Sequence, residues 1–128
     1  MIENIVAIIA IILFGIMIVF QFLLVLGLPL GHLAYGGKYK ELLTNLRIMS
    51  ILAIGIFMFA TIIILELVEF LKLINNQTFS LVVIWILAIY FTIGVLMNMM
   101  SSSKWEKRIM TPIALSIAVC CYIVAIIA

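Results

Sequence analysis

The stretch that decides the fold is IVAIIAIILFGIMIVFQFLLVL, which runs from Ile5 to Leu26 and is interrupted only by Gln21. These 22 residues would extend about 33 Å as an α-helix, enough to cross a hydrocarbon core of about 30 Å. A helix satisfies its own backbone groups, as lipid requires. The run is too long for a cleavable signal peptide, and Met1-Ile2-Glu3-Asn4 before it contains no basic side chain. We therefore expect a membrane-spanning helix.

Three further apolar runs follow, and together they predict a single domain with spans at about 5–26, 46–68, 79–98 and 109–128. The whole chain is 69% apolar and 9% charged, whereas soluble domains are about 45–50% apolar and about 25% charged. A domain of 128 residues could not hide that much apolar surface from water. The predicted fold class is an all-α membrane protein, an up-down bundle of four transmembrane helices.

Basic residues are distributed unevenly among the loops, and this predicts the orientation of the chain. Loop one (27–41) and loop three (99–108), with Arg47 beside the first, hold six of the seven basic residues. Loop two, between spans two and three, has only Lys72. Because Lys and Arg concentrate in cytoplasmic loops, we expect both basic loops inside the cell and both termini outside. Anchoring to lipid head groups is the simplest role for the side chains of these loops, which are Lys38, Lys40, Lys104, Trp105, Lys107 and Arg108.

Polar side chains gather at the same predicted cytoplasmic end. They are Gln21, His32, Tyr35, Asn45, Arg47, Ser50, Asn98 and Thr111. Polar groups at membrane depth tend to face a bundle interior or a cavity, so one interpretation is a binding pocket beneath loop one. The other is hydrogen-bonded contact between helices, which is the more frequent role of such groups. The sequence leaves both interpretations open.

Loop one is rich in residues that bend the backbone, and we expect a tight elbow there. The residues are Gly27, Pro29, Gly31, Gly36 and Gly37. A phosphate-binding Walker loop is excluded by spacing, because Gly31 stands one residue too far from Gly37-Lys38 and Tyr39 replaces the hydroxyl that would bind magnesium. We expect no nucleotide, nucleic-acid partner, cofactor or metal.

Several other residues receive structural interpretations. Glu66 and Glu69 are expected to be solvated carboxylates at the outer membrane boundary, with Lys72 as a ready partner. The adjacent Cys120 and Cys121 have neither metal-ligand nor disulfide spacing and are interpreted as small packing residues. Small residues that would let helices approach closely are Gly15, Gly55, Gly94, Ala114 and Ala118.

Two similar segments open the second and fourth spans, namely Arg47-Ile48-Met49-Ser50 and Arg108-Ile109-Met110-Thr111. Duplication of a helical hairpin would explain them and would give two tandem hairpins of the same orientation. Chance similarity in an isoleucine-rich chain is the alternative, and no function depends on the choice.

Loop one and its neighbours resemble a group of small bacterial four-span membrane proteins of unknown function. The similar residues are Gly27-x-Pro29-x-Gly31-x-x-Ala34-x-Gly36-Gly37, Leu46-Arg47-x-x-Ser50, Asn98, Ser101-Ser102-Ser103, Glu106-Lys107 and Met110-Thr111-Pro112. This chain lacks the proline expected in that group near Leu43 or Thr44. The resemblance implies a bacterial inner-membrane protein and brings no activity with it.

Three functions remain as hypotheses. The first is a binding or accessory component, not an enzyme, that presents its loop-one face to lipid, to copies of itself or to a larger membrane complex. The second is a small transporter or channel, in which several copies would have to supply the pore. The third is a membrane enzyme acting on a lipid or quinone, with His32 and Tyr35 as an acid–base pair. Few other catalytic groups are present in the sequence, so this hypothesis ranks last.

Overall fold

The computed structural model describes residues 2–27 and 44–128, and four long α-helices make up most of this part of the chain. They are α1 (Ile2–Val25), α2 (Thr44–Leu67), α3 (Gln77–Met99) and α4 (Thr111–Ile127), and a π-helical turn, Glu106–Met110, runs directly into α4. Four helical segments, the last one including this turn, are long and apolar enough to cross a membrane. The described residues contain no β-strand. The prediction of an all-α membrane protein with four spans is confirmed.

The four helices form a ring in which each helix packs on its two neighbours. α1 contacts α2 and α4, α3 contacts α2 and α4, and the diagonal pair α2 and α4 touches only slightly. Glu3, at the start of α1, shares a surface depression with Leu67 at the end of α2, Gln77 at the start of α3 and Ile127 at the end of α4. Chain direction therefore alternates around the ring, as in an up-down bundle. We call this the loop-two end and the opposite end the loop-one end.

Three phenylalanine rings fill the middle of the bundle. Phe14 of α1, Phe57 of α2 and Phe91 of α3 are buried, and their ring centroids lie 5.8–5.9 Å apart. α4 completes this core with small side chains, among them the buried Ala118 and Cys121. Aromatic rings in mutual contact stabilise a core beyond the area they bury. The single bundle is therefore closed at its centre.

Large apolar side chains also cover the outside of the bundle, for example Ile12 of α1 (57% exposed) and Ile86 of α3 (60% exposed). In a helical membrane protein this outer surface faces lipid. A Cβ atom added at Gly15, Gly55 or Gly94 would meet nothing within 4 Å. The expectation that these glycines bring helices of the chain together is therefore wrong, because no neighbouring helix lies close to any of them.

A hydrogen bond joins α3 to α4 near the level of the phenylalanine core. The hydroxyls of Thr92 and Tyr122 lie 2.9 Å apart, and Thr92 also donates to the carbonyl of Ala88 at 2.8 Å. The ring of Trp85 meets that of Tyr122 edge-on, at a centroid distance of 6.0 Å. This group fixes the register between the two helices.

The fourth helix begins earlier than residue 109, where the predicted span starts. Helical structure runs from Lys104 through the π-helical turn into α4, so Pro112 lies inside one continuous helical path. Proline has no amide hydrogen and its ring crowds the carbonyl four residues earlier, which here belongs to Arg108. A turn with the wider i→i+5 spacing accommodates such a break in the α-helical pattern.

Candidate functional site

Polar residues form a layer between the aromatic core and the loop-one end. Seven residues, or two helical turns, separate Phe14 from Gln21, Phe57 from Ser50 and Phe91 from Asn98. Because the three rings are in contact, these polar residues lie at one depth, about 10 Å from the core. Ser50 is fully buried, whereas Gln21 and Asn98 are half-buried. Thr111, at the first residue of α4, belongs to the same end of the bundle.

Two buried oxygen atoms at this end have no hydrogen-bond partner within residues 2–27 and 44–128. They are Oε1 of Gln21 on α1 and Oγ1 of Thr111 on α4. Buried polar atoms in folded proteins nearly always have a partner, and an exception calls for an explanation. A water, a ligand, another molecule or a group of this chain outside the described residues could supply the missing hydrogen bond.

Arg47 closes the edge of this layer against the end of α1. Gly27 follows α1 with a φ of 89°, and its amide donates to the carbonyl of Leu24 at 3.1 Å. A Cβ at Gly27 would lie 3.0 Å from Nη2 of Arg47. Glycine is therefore favoured at position 27 for two reasons: it accepts the left-handed conformation, and it leaves room for the guanidinium.

Loop three is tied together by serine hydroxyls. The amide of Ser103 donates to Oγ of Ser101 at 3.1 Å, and the amide of Glu106 donates to Oγ of Ser103 at 3.3 Å. The second bond is an N-terminal helix cap, and Ser103-x-x-Glu106 has the sequence pattern of a capping box. Ser101 is only 8% exposed, so the turn packs closely on the bundle.

The helical turn after this cap separates acidic from basic side chains. Glu106 is buried with only 6% of its surface exposed, whereas Lys104, Lys107 and Arg108 are exposed. Trp105 is 59% exposed. The carboxylate thus faces the bundle, and the positive charges face outward.

The structure describes only some of the residues of the predicted pocket. Gln21, Ser50, Asn98 and Thr111 share the loop-one end, with Arg47 beside them, and Asn45 is exposed in the first turn of α2. The remaining predicted residues of loop one lie outside the described part of the chain; they are His32, Tyr35, Pro29, Gly31, Gly36, Gly37, Lys38 and Lys40. Sequence reasoning missed the burial of Glu106 and the roles of Ser101 and Ser103, although the capping-box pattern was a usable signal.

The loop-two end contains the other buried carboxylate. Glu66 is 9% exposed, and its Oε1 accepts hydrogen bonds from the amides of Leu73 and Ile74, the latter at 2.6 Å. Glu69 is exposed and has a φ of 65°. The expectation of two solvated carboxylates is therefore wrong for Glu66, because the loop turns back over the end of α2 and brings its amides to the carboxylate.

Two open depressions lie at the loop-two end. One, of about 290 Å³, is lined by Glu3, Glu69 and Gln77 together with apolar ends of α2 and α4. The other, of about 230 Å³, is lined by residues of α2 and the loop, including Glu66, Lys72 and Asn76. Within residues 2–27 and 44–128, no group of three or more His, Cys, Asp or Glu side chains could hold a metal ion.

Comparisons with protein families, with characterised proteins and with solved structures found no match to this chain. The four membrane-spanning helices themselves identify the chain as a multi-pass helical membrane protein.

Proposed function

We propose that this membrane protein is a binding or accessory component, not an enzyme, and that it acts through the loop-one end of its bundle. The observation that carries the proposal is that the buried side-chain oxygens of Gln21 and Thr111 at that end have no hydrogen-bond partner in the described part of the chain. Such groups are costly inside a membrane and tend to line a cavity or meet another molecule. A partner that donates hydrogen bonds would satisfy them.

The closed core supports binding over conduction. Phe14, Phe57 and Phe91 touch one another across the centre of the bundle. A path for water or ions through one copy would require these rings to separate and expose apolar surface to water. A site that opens at one end of the bundle needs no such path.

For localisation, we propose the bacterial inner membrane, with the loop-one end in the cytoplasm and both termini outside. The charge distribution supports this orientation, because six of the seven basic residues belong to the loop-one end or to loop one itself. Both hairpin connections at that end would then be available to cytoplasmic or membrane partners.

Photo-crosslinking in intact membranes tests the proposal. A benzophenone side chain at position 45 samples the loop-one end, and the same group at position 77 is the matched control, since Asn45 and Gln77 are both exposed in first turns of helices. We expect an adduct of defined mass from position 45 and none from position 77.

Substitutions in the polar layer show whether the adduct depends on the site. Combining Gln21→Leu with Thr111→Val removes both unpartnered oxygens, and the adduct at position 45 should then be lost from a protein that still inserts. Ser80→Ala is the control, because the Oγ of Ser80 is also buried and unpartnered but lies at the loop-two end. An adduct that survives the double substitution, or equal adducts from both positions, would contradict the proposal.

A second candidate is an oligomeric transporter, favoured by the open space beside Gly15, Gly55 and Gly94 on the outer surface. Helices of another copy could approach closely at these glycines, and a pore between copies would avoid the closed core. Flux assays in proteoliposomes with cations, anions and small amines test this candidate. Rates equal to those of empty vesicles would count against it.

A further inference from the structure

The first helical turn after loop three has one strongly basic face. Lys104, Lys107 and Arg108 are all exposed. Residues three and four apart lie on the same side of a helix, so the three positive charges are neighbours on one face. No other stretch of the chain places three basic residues within five positions.

Because the neighbouring acid, Glu106, is buried, the exposed charges on this face are all positive. Glu106 lies between the basic residues in sequence, but it is 6% exposed and, like Met110 at 7%, faces the bundle. The cap from Ser103 to the amide of Glu106 fixes the start of the turn. The outward charges are therefore not offset by an exposed acid within the turn.

An apolar strip runs beside the basic face. Trp105 is 59% exposed and Ile109 is 39% exposed, and their spacing of four residues aligns them along the helix. The fourth membrane-spanning segment begins at Glu106, so this strip lies where the span meets the aqueous phase. Tryptophan favours that boundary because its ring is apolar and its N–H is polar.

We propose that this turn, Lys104 to Ile109, is a docking site for an anionic phospholipid of the membrane that the protein spans. The three basic side chains would bind the phosphate and head group, and Trp105 and Ile109 would lie against the upper part of an acyl chain. Charge complementarity and the position at the membrane boundary identify the occupant. The loop-two end offers no comparable face, because Glu3 and Glu69 line its surface with Lys72 nearby.

Quenching of tryptophan fluorescence by brominated lipid tests the proposal. The chain has two tryptophans, so Trp85→Phe leaves Trp105 as the only tryptophan, which is excited selectively over the four tyrosines at long wavelength. Vesicles contain the same mole fraction of anionic lipid throughout, and the bromine is carried either by phosphatidylglycerol or by phosphatidylcholine. We expect stronger quenching by the anionic lipid, equivalent to a local enrichment on the order of fivefold or more, which decreases as salt is raised.

Three controls make the result specific. Trp105→Phe leaves Trp85, which lies in the loop-two half of α3 and should not distinguish the two lipids. Replacing Lys104, Lys107 and Arg108 by Gln should abolish the preference, whereas Lys72→Gln at the other end should not. The salt dependence of the Trp85→Phe protein, with its basic residues intact, gives an answer even if the triple variant fails to insert.

Equal quenching of Trp105 by the two lipids would overturn the proposal. So would a preference that survives the triple substitution. Binding of a soluble poly-glutamate peptide without any lipid preference would identify an acidic protein segment as the occupant instead. The lipid site does not involve Gln21 or Thr111, so its failure would leave the crosslinking experiment unaffected.

Discussion

In the part of the chain that the structure describes, each end of the bundle contains one buried glutamate, and the two have different roles. At the loop-two end, Glu66 accepts hydrogen bonds from the amides of Leu73 and Ile74, so its charge is used to hold the chain's own loop. At the loop-one end, Glu106 faces inward from a helical turn whose exposed charged side chains are all basic. A glutamate thus satisfies the loop amides at one end. At the other end a glutamate is buried, and the exposed charges of its turn are positive.

This difference indicates where the molecule can meet something else. At the loop-two end the carboxylate of Glu66 satisfies two loop amides, and the Oγ of Ser80 is the one buried side-chain oxygen there without a partner among the described residues. At the loop-one end, two buried oxygens have no hydrogen-bond partner among residues 2–27 and 44–128, and three exposed side chains are basic, so this is the end where we propose an external partner. Substitutions at both ends can test this contrast.

Glu66→Ala should have the largest effect on stability. The amides of Leu73 and Ile74 would lose their acceptor near the membrane boundary, and we expect the free energy of unfolding to fall by about 2–3 kcal/mol. Reversible unfolding in mixed micelles measures the change, and faster hydrogen exchange at those two amides should accompany it. Glu69→Gln, at an exposed residue of the same loop, is the control; an equal loss there would mean that the hydrogen bonds of Glu66 contribute little.

Ser103→Ala should have an intermediate effect at the other end. The amide of Glu106 would lose its cap, which is worth about 1 kcal/mol at an ordinary helix N-terminus. Ser102→Ala, at the exposed neighbouring residue, should change stability little. If the two variants unfold alike, loop three does not depend on the cap, and the inward orientation of Glu106 must have another cause.

Gln21→Leu combined with Thr111→Val should have the smallest effect on stability. Because both oxygens lack a partner, replacing them with apolar atoms should change the free energy of unfolding by less than about 0.5 kcal/mol, or raise it. Tyr122→Phe is the reference for comparison, because it removes the hydrogen bond between Tyr122 and Thr92. Such a bond contributes about 0.6 kcal/mol inside a membrane. A loss above about 1.5 kcal/mol would show that the polar layer joins helices and is not a pocket.

The fold could be predicted from the sequence because its signal is composition over long runs. Lipid makes every apolar run of sufficient length a helix, so the run from Ile5 to Leu26 and its three successors identify the four helices without any knowledge of packing. Where a helix begins is less evident. α3 begins at Gln77 because the side chain of Asn76 accepts a hydrogen bond from the amide of Phe79, a local contact that hydropathy does not report.

The site was less predictable because burial of a charge depends on the path of a loop. Glu66 is buried because the chain turns back through left-handed conformations at Glu69 and Asn75, which no run of apolar residues indicates. Glu106 is buried because the helix starts two residues earlier, at Lys104, and this fixes the direction of each side chain in the turn. The predicted hairpin duplication and the role of loop one remain predictions.

The phenylalanine core also has an electrical consequence. The voltage across a membrane falls mainly over its low-dielectric interior, and here that interior contains Phe14, Phe57 and Phe91, none of which carries charge. Arg47, Glu66 and Glu106 all lie towards the ends of the bundle. A shift of one helix against another would therefore move little charge through the field, and we expect the conformation of the protein to be insensitive to membrane potential.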